Sequence, residues 1–352
     1  MNADRINVLI TGLGGGGHGM QILKALKLSR LPYYFIGTDI TQLSYGFSQV
    51  DKTYIVPPAN HLEYIDTLMH IIETNDIKAV FHGSEPELRV MSRHAQALRD
   101  LGVLLPINPP ELIELCTNKF ETMTFLNSRG FTTPQTFLVA SIDDIDSIQT
   151  YPVVCKPHVG SGGSNNVFIA QDEEEMQLIS RYLLRHLKEF LVQEYVGTPD
   201  SEYTVGVLAD MKGDIIGAIG VRRHILSALS NRIRVENRTG RKELGKILAI
   251  SSGISQGEIG HFEEVTDHCK EVARSIGARG PVNLQCRSFG DQVYVFEINP
   301  RFSGTTSLRA MAGFNEPDIL IRKHVLGEEI NRISYREGVI LRGLEERFVE
   351  RV

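Results

Sequence analysis

One strand-forming segment near the C-terminal end constrains the fold and chemistry of this chain more than any other. Residues 296–301 read Phe-Glu-Ile-Asn-Pro-Arg, and in an extended strand the side chains of Glu297 and Asn299 lie on the same face. A carboxylate and an amide oxygen on one face are the hard oxygen ligands that Mg²⁺ prefers. Arg301 follows directly, and its guanidinium suits phosphate oxygens. The segment therefore predicts a metal and nucleotide-phosphate site.

Gln285, twelve residues before Glu297, belongs to the strand that precedes this segment. Matching the apolar faces of the two strands puts Gln285 on the side of Glu297 and Asn299, as a third metal ligand. A two-residue turn at 290–291 would pair residue 285 with residue 296 and break this match. We therefore predict an odd-length turn or a bulge, for instance a three-residue turn with Gly290 in the loop. The alternative, a solvent-facing polar edge, leaves the clustered polar residues unexplained.

The length of 352 residues predicts two or three domains, since one core stops growing below this size. Over the first hundred residues short apolar runs alternate with helical patterns, which predicts a doubly wound parallel sheet. The proline-rich stretch 106–110 is a stiff break and a plausible domain edge. Beyond it strands come in runs, as at 203–236, and an amphipathic helix is predicted at 261–277. This order indicates an α+β region with its own core.

The composition excludes several classes of function. The 37 basic and 43 acidic residues give a net charge of −6, unlike the basic footprint of a nucleic-acid binder. No apolar run reaches membrane length. The four cysteines lie far apart without a CxxC pair, which argues against a disulfide framework or zinc site and indicates reduced thiols. We expect a cytoplasmic protein without nucleic-acid or membrane partners.

The N-terminal loop Gly12–Gly17 satisfies the pattern G-x-G-x-x-G between a predicted strand and a predicted helix. Asp39 lies 22 residues after Gly17, close to where a dinucleotide-binding fold places its ribose acid. The same loop also suits a glycine turn that serves only tight strand–helix packing. Nothing later in the chain suggests hydride transfer. An NAD(P)-binding oxidoreductase therefore remains the alternative function.

A second glycine-rich loop follows the predicted strand 153–156, which ends in Lys156. Small residues let backbone N–H groups approach phosphate oxygens, and the lysine supplies a point charge. A hairpin tip without a ligand is the alternative, but it gives no reason for an apolar strand to end in lysine. We favour a phosphate loop.

The strand end at 193–197 could serve as a hinge whose backbone meets a purine edge. Asp200 and Glu202 lie just beyond it and could accept hydrogen bonds from ribose hydroxyls. Taken alone, the segment fits an ordinary strand and turn equally well.

These pieces, in this order, resemble the ATP-grasp superfamily, on its carbamoyl-phosphate-synthase and biotin-carboxylase side. The run 297–304 is the most specific part of a resemblance that covers nearly the whole chain. It implies a Rossmann-like pre-ATP-grasp domain at 1–115, a mobile ATP-grasp lid subdomain at 116–195, and a C-terminal subdomain with the metal site and tail at 196–352. In that family the N-terminal glycine turn does not bind NAD, which argues against the oxidoreductase.

The resemblance also implies a role for each candidate residue. Lys119, which opens a predicted helix, looks like the first nucleotide lysine, and Lys156 like the second. The implied glycine loop over the phosphates is Gly160, Ser161, Gly162, Gly163 and Ser164. The implied adenine contacts are Gln193, Glu194, Tyr195 and Val196, and the ribose acid is Asp200 or Glu202. The implied ligands of Mg²⁺, or of Mn²⁺ in its place, are Gln285, Glu297 and Asn299, with Arg301 as the phosphate arginine.

Relatives of this size are mostly carboxylate–amine ligases, and one grasp module without a glutaminase domain is not a complete carbamoyl-phosphate synthase. We expect an ATP- and Mg²⁺-dependent ligase that converts a carboxylate to an acyl phosphate, releases ADP and joins the acyl group to an amine.

Arg222 and Arg223 are candidates for binding the acceptor carboxylate, with one of them facing the cleft. The 14–18 turn and the tetrad 84–87 are candidate walls of the acceptor pocket, although structural surface is favoured for the tetrad. A homodimer is a common assembly in the family, and a non-catalytic nucleotide-binding module is a further alternative.

Overall fold

The structure is a computed structural model of the chain, and it describes residues 5–14, 16–160, 166–227, 229–330 and 333–348. Within these ranges, no helix is both long and apolar enough to cross a bilayer. Of the predicted glycine loop only Gly160 is described, and Ser161, Gly162, Gly163 and Ser164 lie outside the described residues.

A four-stranded parallel sheet forms the N-terminal part, as predicted. Its strands are β1 (Ile6–Ile10), β2 (Tyr33–Asp39), β3 (Lys52–Ile55) and β4 (Ala79–Phe81), in the order β3-β2-β1-β4. The helices are α1 (His18–Leu26), α2 (Tyr64–Thr74), α3 (Glu85–Arg93) and α4 (Ala95–Asp100). The strand order reverses between β1 and β4, and in open α/β sheets the carboxyl ends of strands at such a switch point face ligands.

An antiparallel sheet, in the order β5-β8-β6-β7, follows two helices. The helices are α5 (Pro110–Thr117) and α6 (Lys119–Ser128), and the strands are β5 (Thr136–Val139), β6 (Val153–Lys156), β7 (Phe168–Ala170) and β8 (Phe190–Glu194), with α7 (Glu173–His186) before the last. Asn118 caps α6 by accepting hydrogen bonds from the backbone N–H of residues 120 and 121. No sequence pattern predicted the short strand β5.

The C-terminal part is built on a six-stranded antiparallel sheet in the order β15-β14-β9-β10-β13-β16, with β11 and β12 as a separate pair. The strands are β9 (Glu202–Ala209), β10 (Ile215–Arg223), β11 (Asn231–Glu236), β12 (Ile247–Ser251), β13 (Gly257–Gly260), β14 (Pro281–Phe289), β15 (Gln292–Asn299) and β16 (Gly338–Ile340). The helices are α8 (Glu263–Ser275), α9 (Thr306–Ala312) and α10 (Glu316–His324).

The register between β14 and β15 places the predicted metal ligands together. Gln285 pairs with Glu297, but Cys286 pairs with Val295, so residue 296 is an extra residue in β15. The predicted bulge is therefore confirmed. The three-residue turn offered as an example is wrong, because residues 290–291 form a two-residue turn and the ladder absorbs the extra residue further along the strand.

The side chains of Asn108, in the linker, and of Asn315, before α10, hold the N-terminal part against the C-terminal part. Asn108 Nδ2 donates to the carbonyls of Pro281 (2.8 Å) and Pro300 (3.0 Å), and its Oδ1 accepts from the N–H of Arg279. Asn315 Nδ2 donates to the carbonyl of Ala25, at the end of α1. These contacts fix the end of β15, where Asn299 lies, relative to the first sheet.

A buried ion pair joins α9 to α10 beneath the six-stranded sheet. Arg309 Nη1 lies 3.2 Å from Glu316 Oε1, and both side chains are 1% exposed. Arg309 Nη2 also donates to Asn283 Oδ1 at 2.6 Å. A Cβ at Gly206 would lie 2.2 Å from Arg309 Nη1, so only glycine lets the guanidinium cross β9.

Removing one member of this pair should destabilise the protein strongly. We expect Arg309→Met to lower the free energy of unfolding by about 3–5 kcal/mol, because Glu316 would keep a buried, unpaired charge. Chemical denaturation followed by circular dichroism measures the change. The double variant Arg309→Met with Glu316→Leu should recover more than half of the loss. Arg274→Met, which breaks an exposed pair with Glu271, is the control and should cost less than about 1 kcal/mol.

Candidate active site

A cavity of about 390 Å³ lies between the four-stranded antiparallel sheet and the six-stranded sheet. Its volume falls within the range of small-molecule sites. The structure brings most of the predicted site residues to its wall: Lys119, Lys156, Gly160, Gln193, Glu194, Tyr195, Val196, Glu202, Arg223, Gln285, Glu297, Asn299 and Arg301. Asp200 and Arg222 are the two described candidates that the structure places elsewhere.

The three predicted metal ligands come from β14 and β15 and share this wall. Gln285 Nε2 donates to Glu297 Oε2 at 2.8 Å, and Asn299 Oδ1 accepts from Arg301 Nη2 at 3.0 Å. Carboxylate and amide oxygens suit a hard cation such as Mg²⁺. The described residues include no cluster of three His, Cys, Asp or Glu that could hold a metal. A cation here would therefore meet a single carboxylate and would need further oxygens from a ligand.

Each of these oxygen-bearing side chains also faces a cation of the protein. Lys119 Nζ lies 3.8 Å from Glu297 Oε1 and donates to the carbonyl of Gly160 at 2.5 Å. The guanidinium of Arg223 donates to Gln285 Oε1 at 3.4 Å. Each of the three metal-ligand candidates is thus paired with a lysine or an arginine. A ligand that carries both phosphates and a metal can replace these contacts, because its phosphates can bind the cationic side chains and its metal the oxygen-bearing ones.

Lys156 is buried at the end of β6, as the sequence pattern predicted. Its Nζ donates to Gln193 Oε1 at 2.8 Å, and it lies 5.7 Å from the centroid of the Phe296 ring. Burial lowers the pKa of Lys156 to about 8, although the nearby Glu297 carboxylate opposes the shift. A lysine with this pKa is mostly protonated at neutral pH but holds its proton weakly.

Glu202, at the start of β9, is the carboxylate around which the opposite wall is organised. Its oxygens lie 3.0 Å from Arg223 Nη1 and 2.9 Å from Arg287 Nη2, and all three side chains are nearly inaccessible to solvent. Burial alone would raise the pKa of Glu202, but the charges of Arg287 and Arg223 outweigh it and hold the pKa below its usual range. Asp200 lies outside the cavity, so of the two predicted ribose acids only Glu202 is in position.

Of the two adjacent arginines at the end of β10, only Arg223 faces the cavity. Its Nη1 also donates to Ser251 Oγ at 2.7 Å, and its Nη2 donates to the carbonyl of Ser252. Arg222 points to the other face of the sheet, where it pairs with Glu258 and lies 5.8 Å from the ring centroid of Phe262. Of the two candidates for the acceptor carboxylate, Arg222 is therefore excluded and Arg223 remains, because successive strand residues face opposite sides.

The hinge segment is held by its own side chains and by Arg287. The Tyr195 hydroxyl accepts from the N–H of Ala249 at 2.9 Å, and Arg287 lies 4.4 Å from the centroid of the Tyr195 ring. Arg287 Nη1 donates to the carbonyl of Val196 at 3.1 Å. The tyrosine side chain is thus structural, and any adenine contact at this residue would use the backbone.

Sequence reasoning missed Arg287 and Arg342, and it offered Glu85 only as a member of the tetrad 84–87, for which structural surface was favoured. Arg287 shares strand parity with Gln285, so the alternation alone could have identified it. Arg342, from the C-terminal tail, donates from Nη2 to the carbonyl of Gly304 at 2.7 Å, and no local signal predicts that contact. Glu85 accepts from Arg301 Nε at 2.5 Å, which links the N-terminal domain to the cavity.

The first glycine loop is a packing turn. Gly12 has a φ of +60°, and a Cβ there would lie 2.6 Å from Glu87 Oε2. Glu87 is buried and accepts from the Tyr64 hydroxyl at 3.0 Å, so its interpretation as surface was wrong. His18, at the end of the loop, is buried with its Nε2 3.3 Å from His82 Nδ1. Neither the described residues of the loop nor Glu87 line the cavity.

Three family models match successive parts of the chain. A PylC-like N-terminal domain matches residues 8–107, a RimK-like ATP-grasp domain matches residues 116–224, and a model described as ATP-grasp in the biosynthetic pathway with Ter operon matches residues 186–346. Both ATP-grasp models include part of the cavity wall.

Curated relatives are large chains of carbamoyl phosphate synthase. One from Clostridium perfringens is 23% identical over 328 residues, which is 91% of this chain and 28% of the relative. One from Renibacterium salmoninarum is 27% identical over 219 residues, 60% of this chain and 18% of the relative. The chain thus spans less than a third of the relatives that it matches.

Solved structures of the same fold cover almost the whole chain. L-amino acid ligase from Bacillus licheniformis has a TM-score of 0.63 at 17% identity, covering 95% of this chain and 78% of that one. The biotin carboxylase domain of 2-oxoglutarate carboxylase from Hydrogenobacter thermophilus has a TM-score of 0.64 at 15% identity, with coverages of 94% and 72%.

The fold and the cavity define an ATP-grasp architecture with a preceding Rossmann-like domain, which confirms the predicted fold class. Two ATP-grasp family models together match residues 116–346, which places the chain in the ATP-grasp superfamily, and its curated relatives are large chains of carbamoyl phosphate synthase. The family evidence does not favour an NAD(P)-binding oxidoreductase.

The lowered pKa of Lys156 should appear in the pH dependence of stability. Between pH 8 and 10.5 the unfolded chain binds more protons at this residue than the folded chain, so its contribution to stability rises with pH. We expect the free energy of unfolding of the wild type, minus that of Lys156→Met, to rise by about 3 kcal/mol across this window. Urea unfolding at several pH values measures the difference. A difference that stays flat or falls would contradict the assigned pKa.

Proposed function

We propose that the protein is an ATP- and Mg²⁺-dependent ligase that activates a carboxylate as an acyl phosphate and joins it to an amine, releasing ADP and phosphate. One observation carries this proposal: a single cavity gathers two lysines, a set of oxygen ligands for a divalent cation, and Arg301. The named activities of similar proteins, among them L-amino acid ligase and N5-carboxyaminoimidazole ribonucleotide synthetase, support it.

In this proposal the nucleotide lies along the seam between the two antiparallel sheets. The backbone of 194–196 binds adenine, Glu202 lies at the ribose, and Lys119 and Lys156 bind phosphate oxygens. Residues 1–115 form the N-terminal domain, 116–195 the lid and 196–352 the C-terminal subdomain, with Gly160 and Ser161–Ser164 as the lid loop. ATP supplies the phosphoryl group that turns the carboxylate into a good acyl donor.

The metal ligands of this proposal are Gln285, Glu297 and Asn299, and the cation is Mg²⁺ or Mn²⁺. With one carboxylate, the protein binds the free cation weakly, because Mg²⁺ in such sites relies on phosphate oxygens for the rest of its shell. A solved ATP-grasp structure with MgADP, the biotin carboxylase domain from Hydrogenobacter thermophilus, supports this assignment. The cation and nucleotide then bind together.

The acceptor end of the cavity lies between Arg223 and Arg301. Arg223 binds and orients the carboxylate, while Lys156 and Arg301 offset the negative charge that develops as its oxygen attacks phosphorus. The amine then attacks the acyl carbon, phosphate leaves, and the amine loses its proton. Serine residues and backbone at 251–255 and 303–305 line this end and are the candidates for substrate contacts.

Loss of the single metal-binding carboxylate should abolish turnover. We expect Glu297→Gln, which keeps the side-chain shape, to lower ADP formation at least 100-fold on any active carboxylate and amine pair found by screening. A coupled ADP assay measures the rate. Glu258→Gln, on β13 outside the cavity, is the matched control and should stay within about twofold. ADP formation that persists in Glu297→Gln would exclude the metal role, and Mg·ATP binding without any ADP formation would favour a non-catalytic module.

The two neighbouring arginines provide a second test on adjacent positions. We expect Arg223→Lys to lower kcat/KM at least tenfold, because a lysine cannot bridge Glu202, Ser251 and Gln285 as a guanidinium does. Arg222→Lys should change kcat/KM by less than about twofold, since that residue faces away from the cavity. Equal losses in both variants would contradict the assigned orientation.

A further inference from the structure

A second, larger cavity lies at the N-terminal ends of β1, β2 and β4. It has a volume of about 1170 Å³ and shares no lining residue with the candidate active site. Its wall includes the starts of β1 and β4, the linker 107–110 and the residues that follow α10, so it spans the seam between the N-terminal domain and the C-terminal part. We call it the basic groove.

The charge of the basic groove is opposite to that of the chain. Five of its described lining residues are basic and none is acidic, although the whole chain carries a net charge of −6. Four of them are cations, Arg5, Lys78, Arg99 and Arg279, whereas burial lowers the pKa of the fifth, His324, whose Nε2 accepts from the N–H of Met211. A concave surface with one sign of charge raises the local concentration of ligands of opposite charge.

Most of these charges are not neutralised within the described part of the chain. Lys78 pairs with Asp76 at 2.7 Å, but Arg99 donates only to the carbonyls of Leu105 and Ile107. Arg5 lies 5.0 Å from the ring centroid of Tyr34, and the guanidinium of Arg279 makes no hydrogen bond or ion pair with a described residue. Three exposed arginines are therefore available to an anionic ligand.

The size and the remaining lining indicate what kind of anion fits. The volume exceeds the usual range for small-molecule sites, and most of the uncharged wall is apolar. The apolar wall residues that keep solvent-accessible surface include Leu31, Pro32, Leu104, Met211, Val325 and Leu326. A compact inorganic anion would leave this apolar surface exposed to water.

We propose that the basic groove binds an acidic, partly apolar peptide segment of a partner protein. Carboxylates of the segment pair with Arg5, Arg99 and Arg279, and its apolar side chains cover the accessible apolar surface of Leu31, Leu104, Met211 and Leu326. Because the groove bridges both parts of the chain, the bound segment contacts both at once. The site is independent of the proposed ligase activity.

Fluorescence anisotropy with a labelled eight-residue peptide of alternating Glu and Leu tests the proposal on the full-length protein. We expect the peptide to bind, the affinity to fall with added salt, and the double variant Arg5→Glu with Arg279→Glu to weaken binding at least tenfold. Arg181→Glu with Arg185→Glu, on exposed positions of α7, changes the net charge equally and should bind like the wild type. Circular dichroism and thermal unfolding confirm that both double variants fold.

Three outcomes would overturn the proposal. A Lys and Leu peptide that binds as tightly would show that charge does not select the ligand. Equal weakening in both double variants would show a general charge effect. Binding of pyrophosphate, or of phosphatidylglycerol vesicles, that is lost in the groove variant while the peptide does not bind would assign the groove to a small anion or to a membrane surface instead.

Discussion

The chemistry of the cavity depends on one extra residue in β15. In a regular ladder from the same two-residue turn, Gln285 would oppose Phe296, and Glu297 would oppose Leu284 on the apolar face of the sheet. Because Phe296 has no partner on β14, the register shifts by one and brings Gln285 opposite Glu297. The Phe296 carbonyl also lies 3.5 Å from Lys156 Nζ. The bulge therefore sets the position of the metal-ligand side chains and helps to hold one of the two lysines.

Buried charge organises the opposite wall. Ion pairs removed from water stabilise a fold only when their remaining donors and acceptors are satisfied. Here the carboxylate of Glu202 accepts from two guanidinium groups, which also donate to the carbonyls of Val196, Ala249 and Ser252. Among the described residues, the Nε of Arg223 is the one donor of the two groups left without a partner. The network joins β9, β10 and β14 to the hinge, so the segment that would meet a purine is fixed by electrostatics as well as by packing.

Much of this arrangement could be predicted from local sequence patterns. The alternation of strands and helices predicted the first sheet, and strand parity placed Gln285, Glu297 and Asn299 on one wall. Parity alone could not choose between Arg222 and Arg223, because both faces of β10 are covered, one by α8 and the other by the cavity wall. The short strand β5 and the contact of Arg342 depend on residues distant in sequence, so no local pattern indicated them.

The contact between Glu85 and Arg301 makes the N-terminal domain and the cavity wall thermodynamically dependent on each other. Arg301 already donates to Glu85, to Asn299 and to the Phe302 carbonyl. A phosphate that draws this guanidinium away weakens its bond to α3, and any event in the N-terminal domain that releases Glu85 strengthens phosphate binding by the same factor. Under the proposed function, the N-terminal domain, none of whose described residues lines the cavity, can thereby tune the affinity of the cavity for phosphate.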